Sequence, residues 1–146
     1  MSYWDTSCLV KLYTPEADSS AFSRHLESSA VCITSDLTPL EFWATVRRKE
    51  SEGVLAPGEA RKVQNVLEAD LAAGFITVQV SDLAVRIQFE AFVDYCHGLS
   101  PPIYIRTNDA LHIAAARCAG ATEIVATDKR LREAALALGF SVFPPR

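Results

Sequence analysis

Five helical patterns in this chain each run into a glycine. Residues 36–52 stop at Gly53, and residues 82–97, which begin after Ser81, stop at Gly98. Residues 57–73 place Ala60, Val63, Leu67 and Leu71 on one face and stop at Gly74. The alanine-rich residues 107–119 stop at Gly120, and residues 129–138 align Leu131, Ala135 and Leu138 before Gly139. Glycine after the last periodic residue is the expected helix stop. A sixth pattern, 15–28, opens at Thr14-Pro15-Glu16, and a short apolar turn, "SCLVKLY", follows Asp5. Between these lie short apolar runs at 1–5, 30–34, 75–80, 122–127 and 140–143. Their length and β-branched content predict strands. Strand–helix–strand alternation predicts an α/β fold, a central parallel sheet of four to five strands with helices on both faces. Such sheets bind ligands outside the carboxyl ends of their strands, where strand order reverses.

The chain has 146 residues, 49% of them hydrophobic, enough for one core, so a single domain over 1–146 is expected. No apolar run is long enough to span a membrane, and "MSYWDTS" lacks the basic-then-apolar pattern of a signal peptide. A cytoplasmic protein is the expectation. Cys8, Cys32, Cys96 and Cys118 form no CxxC pair and read as structural thiols. Of His25, His97 and His112, only His112 is near a motif, and it reads as packing or a hydrogen bond. Net charge is −4, which argues against a generally basic nucleic-acid surface. Cations do cluster locally, at Arg47-Arg48-Lys49, Arg61-Lys62 and Lys129-Arg130 with Arg132. Such runs are usually solvated helix faces.

Three acids fall at strand-to-helix junctions: Asp5 after the first run, Asp128 after the fourth, and Asp109 in the first turn of the alanine-rich helix. Each alone is accounted for by helix capping or the helix dipole. A fourth acid, Glu41 in "LTPLEFWATVRRK", shares an apolar stripe with Leu37, Leu40 and Ala44. Thr38-Pro39-Leu40-Glu41 fits a capping box with Glu41 at N3. A start at Ser35 instead puts Glu41 further inside the helix and aims it at the other acids. Gathered carboxylates repel and raise each other's pKa, a conflict that a divalent cation resolves. Magnesium and manganese take hard oxygen ligands and serve phosphate chemistry.

"YWDTSCLVKLYTPE", "ITSDLTPLEFWATVRRK", "RTNDALHIAAA" and "IVATDKRL", in that order, resemble the four motifs of PIN-domain nucleases, specifically VapC-type toxins of toxin–antitoxin pairs. The resemblance covers nearly the whole chain. It implies that Asp5, Glu41, Asp109 and Asp128 converge on one or two Mg²⁺ or Mn²⁺ ions, with Asp5 and Asp109 as principal ligands. Glu41 and Asp128 would complete the pocket, one of them orienting or deprotonating water. Ser7 and Thr127 resemble the family's polar helpers. The expected substrate is RNA, held by Arg47, Arg48, Arg106, Lys129 and Arg130. The expected partners are an antitoxin that blocks the site and a second copy in a homodimer. The double-proline stretch "GLSPPIY" carries no signal.

Other readings stay open at this stage. A haloacid-dehalogenase-like phosphatase needs a second aspartate where Ser7 stands, and a receiver-like domain would place its acceptor differently from "VSD" at 80–82. A non-catalytic module could use the acids to clasp a basic partner segment.

Overall fold

The structure, a computed structural model, describes residues 1–145. Its strands are β1 (Ser2–Trp4), β2 (Cys32–Ser35), β3 (Thr77–Gln79), β4 (Glu123–Val125) and β5 (Ser141–Phe143). The helices are α1 (Thr6–Tyr13), α2 (Ser19–Ser28), α3 (Thr38–Ser51), α4 (Glu59–Ala72), α5 (Leu83–His97), α6 (Thr107–Cys118) and α7 (Lys129–Ala137). All strand pairs are parallel, in the order β3-β2-β1-β4-β5. The chain steps outward from β1 to β2 and β3, then crosses back to β4 on the other side of β1. The β1–β4 boundary is therefore the point where strand order reverses, the expected place for a site in an open parallel sheet.

Strand residues are apolar on both faces because helices cover both. Tyr3, Ile33 and Ile124 pack on α5, α6 and α7, while Trp4, Cys32 and Val125 pack on α1 to α4. The alanines of α6 explain how that helix sits so deep. Ala110, Ala114, Ala115 and Ala116 are fully buried, and their small side chains let α6 lie close to α5 and the sheet.

Most element ends fall within two residues of expectation. Residues 15–18 are an exception, because α2 starts only at Ser19. The Glu16 carboxylate instead receives Lys11 of α1 and Lys49 of α3, each at 2.7 Å, so it ties two helices rather than opening a third. Gly53, Gly74, Gly120 and Gly139 end their helices with positive φ. Gly98 instead ends its helix in a right-handed turn at φ −80°, where an added Cβ would meet the Asp94 carbonyl oxygen at 3.3 Å.

The α3 start matches neither sequence reading, since Ser35 ends β2 and the N-cap is Leu37, with no side chain capping the helix. The helix runs from Thr38, but Leu37 is already right-handed and its N–H donates to Ser35 Oγ at 3.3 Å. The capping box does not form, since the Glu41 carboxylate is engaged elsewhere.

Enlarging α6 should be costly. Ala115→Leu is expected to destabilise by about 1–3 kcal/mol through overpacking, read as a lower urea midpoint at unchanged slope.

Candidate active site

Two aspartates at the ends of central strands each divide their oxygens between two tasks. Asp5 caps α1, with Oδ2 accepting the Ser7 N–H at 3.3 Å and the Ser7 hydroxyl at 2.5 Å. Its Oδ1 lies 3.8 Å from His112 Nε2, beyond hydrogen-bond reach. Asp128 caps α7, with Oδ1 accepting the Leu131 N–H at 3.0 Å, while Oδ2 is 3.1 Å from Arg106 Nη2. One oxygen of each aspartate fixes the side chain on its helix, and the other is available elsewhere. The capping reading is thus correct for both residues without exhausting them.

Asp109 is the third residue of α6 and is buried at 6% exposure. It accepts Arg106 Nε at 2.7 Å and Nη2 at 3.3 Å. Arg106 therefore bridges Asp109 and Asp128, and these two carboxylates hold its guanidinium more firmly charged than usual. Its own side chain remains more than half exposed.

Glu41 Oε1 accepts His112 Nε2–H at 2.5 Å and the Thr6 hydroxyl at 2.9 Å, and Oε2 faces Asn108 Nδ2 at 3.4 Å. His112 is fully buried, with Nδ1 2.7 Å from the Tyr3 hydroxyl of β1. A threonine ladder lies beneath. Thr38 Oγ1 is 2.6 Å from Thr34 Oγ1, and the Thr34 hydroxyl donates to the Trp4 carbonyl at 3.0 Å. With one proton per hydroxyl, Thr34 serves Trp4, Thr38 serves Thr34, and Thr6 serves the charged Glu41.

Together Asp5, Thr6, Ser7, Glu41, Thr45, Arg106, Asp109 and Asp128 line one open cavity of about 220 Å³ at the β1–β4 boundary. All four acids singled out from the sequence are therefore gathered, with Ser7 beside them. Thr127 is not among the lining residues; with Lys129 it borders the adjoining cavity. Arg47 and Arg48 lie exposed farther along α3, Arg47 over the Trp43 ring and paired with Glu50. Arg130 opens onto a separate cleft. The residues that sequence reasoning missed are Thr6, and His112 in its contact with Glu41. The available signal was position, because His112 lies one turn after Asp109 and on the same helix face.

Burial raises the Asp5 pKa; His112 and the Ser7 hydroxyl oppose this without cancelling it. Burial also works against charge on His112. The Glu41 hydrogen bond and the Asp5, Glu41 and Asp109 charges outweigh it, and the imidazole pKa is raised. For Glu41, burial is outweighed by the His112 bond and charge and by Thr6 and Asn108, so its pKa is lowered.

The donor chemistry fits a hard divalent cation. Four carboxylates border one cavity, two of them offer an oxygen beyond their caps, and Arg106 already sits as a positive charge between Asp109 and Asp128. Among the described residues, no three His, Cys, Asp or Glu side chains are grouped closely enough to hold an ion as they stand. Arg106 and His112 occupy the spaces between the acids.

Comparison with known proteins shows the family. A profile of the PIN domain matches residues 2–136, and the chain belongs to the PIN-domain family. Within it, the similarity is to proteins of the VapC type. Ribonuclease VapC35 of Mycobacterium tuberculosis is 32% identical, over 99% of this chain and 97% of the relative. The crystal structure of Mycobacterium tuberculosis VapC20, titled a sarcin–ricin-loop-cleaving toxin, superposes with a TM-score of 0.69 at 18% identity, covering 92% of this chain and 95% of that one. A toxin–antitoxin complex from Klebsiella pneumoniae gives a TM-score of 0.68 at 12% identity, covering 100% and 98%. These two likenesses carry the fold.

Two predictions follow from the charge balance. Asp5→Asn keeps a capping oxygen for Ser7 and removes a buried charge, so the metal-free protein should melt higher, by a few degrees, in a calorimetric scan. The Glu41–His112 pair should show a pH window. The raised His112 pKa makes its contribution complete below the unfolded value of 6.5 and lost as pH rises through the folded value. The lowered Glu41 pKa makes its contribution present above 4.5 and lost as pH falls through the folded value. In EDTA, Glu41→Gln should therefore cost most between these values, roughly 1–2 kcal/mol, with the gap narrowing on both sides. Urea midpoints measured from acid to alkaline pH check this.

Proposed function

We propose that this chain is an Mg²⁺- or Mn²⁺-dependent endoribonuclease acting as the toxin of a type II toxin–antitoxin pair. The observation that carries the reading is the gathering of Asp5, Glu41, Asp109 and Asp128 around one cavity at the strand-order reversal. Membership of the PIN-domain family and similarity to named VapC ribonucleases support it.

Asp5 and Asp109, the two most buried acids, would be the principal metal ligands. A bound divalent ion would activate water and neutralise the charge that develops on a phosphodiester. Glu41 is held by His112 and Thr6 with a lowered pKa, so it is a poor proton acceptor and a good fixed negative charge. Asp128 is about two-fifths exposed and has one oxygen outside its cap, which suits it to orient the attacking water. Arg106 neutralises Asp109 and Asp128 in the substrate-free protein, and its exposed side chain can turn to a phosphate once those acids are engaged. Ser7 holds Asp5 in its capping rotamer.

In the toxin reading, a cognate antitoxin covers the acid cavity. A homodimer and a cytoplasmic location belong to the same proposal. No helix among the described residues is long and apolar enough to cross a membrane.

Purified protein should cut single-stranded RNA with Mg²⁺ or Mn²⁺ and leave it intact in EDTA. Asp5→Asn and Asp109→Asn should each lower the cleavage rate at least about a hundredfold, the scale of losing an electrostatic catalytic group, without loss of helical signal. Full activity in either variant, or in EDTA, would exclude the assignment. A folded protein with no cleavage under any condition would favour the binding-module alternative.

A further inference from the structure

A second cleft is bordered by segments that also reach the acid cavity, and "GLSPPIY", silent in the sequence, supplies one of its walls. The cleft measures about 610 Å³ and is lined by Pro102, Ile103, Tyr104, Arg130, Glu133 and Leu136, with Pro101 at its edge. Its two walls are the segments that continue into the acid cavity. Tyr104 is two residues before Arg106, and Arg130 is two residues after Asp128. The Arg106–Asp128 ion pair joins those segments, and both of its residues line the acid cavity. A ligand lying in both would cross that ion pair.

Three properties of the cleft define its occupant. Tyr104 is 70% exposed yet held edge-on against His97, with ring centroids 5.4 Å apart, so it offers an open aromatic face with a supported position. Leu136, 43% exposed, and Ile103 add aliphatic surface. Arg130 is exposed and makes no ion pair among the described residues, whereas the cleft's acid, Glu133, faces Lys129 at 3.8 Å. An aromatic platform, apolar walls and an unpaired cation describe a seat for a flat π-system attached to an anion. Base stacking on an aromatic ring with backbone contact to arginine is how single-stranded nucleic acid is held.

Resting on the ribonuclease reading, we infer that this cleft binds one unpaired nucleobase of the RNA next to the scissile phosphate, stacked on Tyr104 with Arg130 on a flanking phosphate. The cleft would thus help decide which nucleotide neighbours the cut.

The test is fluorescence anisotropy of the full chain with a 5′-labelled single-stranded RNA dodecamer pool, in EDTA so that nothing is cleaved. Tyr104→Ala should weaken binding about ten- to a hundredfold, the scale of one lost base stack, while Tyr104→Phe and Tyr104→Trp stay near the parent. The indole of Tyr104→Trp should be quenched by RNA. An abasic ribose-phosphate dodecamer should bind the parent less tightly than RNA does and show little further loss with Tyr104→Ala. Because Tyr104 is exposed, Tyr104→Ala should melt like the parent. Equal RNA affinity for parent and Tyr104→Ala, or no quenching in Tyr104→Trp, overturns the cleft assignment and leaves the ribonuclease reading standing. The same holds if Tyr104→Ala weakens only the capture of a protein partner. A parent protein that binds no RNA overturns the cleft assignment, and a parent that also cuts no RNA with Mg²⁺ or Mn²⁺ overturns both.

Discussion

The constraint on which this structure turns is a buried carboxylate at the end of its central strand. Asp5 sits where β1 meets α1, nine-tenths removed from solvent, with Glu41 and Asp109 bordering the same cavity. Charged groups so placed must be compensated. The protein supplies His112 and Arg106. His112 is anchored from below by Tyr3, a residue of β1 itself, so the strand that delivers the acid also seats the base that balances it. Arg106 spans Asp109 and Asp128 from the loop before α6. The compensation is partial, since four carboxylates face one guanidinium and one imidazole.

Helix capping explains how the acids are aimed. A carboxylate has two oxygens, and an N-cap needs one. In Asp5 and Asp128 the cap bond anchors the side chain on a rigid helix end and leaves the second oxygen free. Structural and chemical readings of these residues are therefore complementary. Glu41 is positioned differently, by Thr6 and His112 from two other elements. Ser35, the last residue of β2, accepts the Leu37 N–H in the turn before α3, and the Glu41 carboxylate faces the cavity.

Much of this was legible in the sequence. Glycine stops and β-branched runs gave the element order, because they report local backbone preferences that the tertiary structure respects. Asp5 and Asp128 were legible because they follow strand ends, whereas Asp109 follows the loop after α5 rather than a strand, and the expected core-facing stripe around Glu41 is not one, since Leu40 and Ala44 are exposed; those two acids were marked by the order of the motifs. What local pattern could not reveal was long-range pairing. His112 looks like an ordinary polar residue in an alanine helix, and only the fold brings it to Glu41 and Tyr3. Glu16 resembled a first-turn acid because its partners Lys11 and Lys49 lie on other helices. The loop at 98–104 has no periodicity, so nothing marked Tyr104 until the cleft did. Nor could local pattern separate the cations: Arg47 is engaged by Glu50 and Trp43, whereas Arg106 lines the acid cavity.

The sheet order has one more implication, for synthesis. β1 lies between β2 and β4, and the cavity takes Asp5 from near one end of the chain and Asp128 from near the other. A ribosome makes them in sequence, so a nascent chain carries Asp5 and Glu41 long before β4 and α7 exist to complete the pocket. The unfinished protein therefore holds only part of the acid cavity. The pocket closes only when the last strands have emerged and docked on a sheet whose first strand was made at the outset.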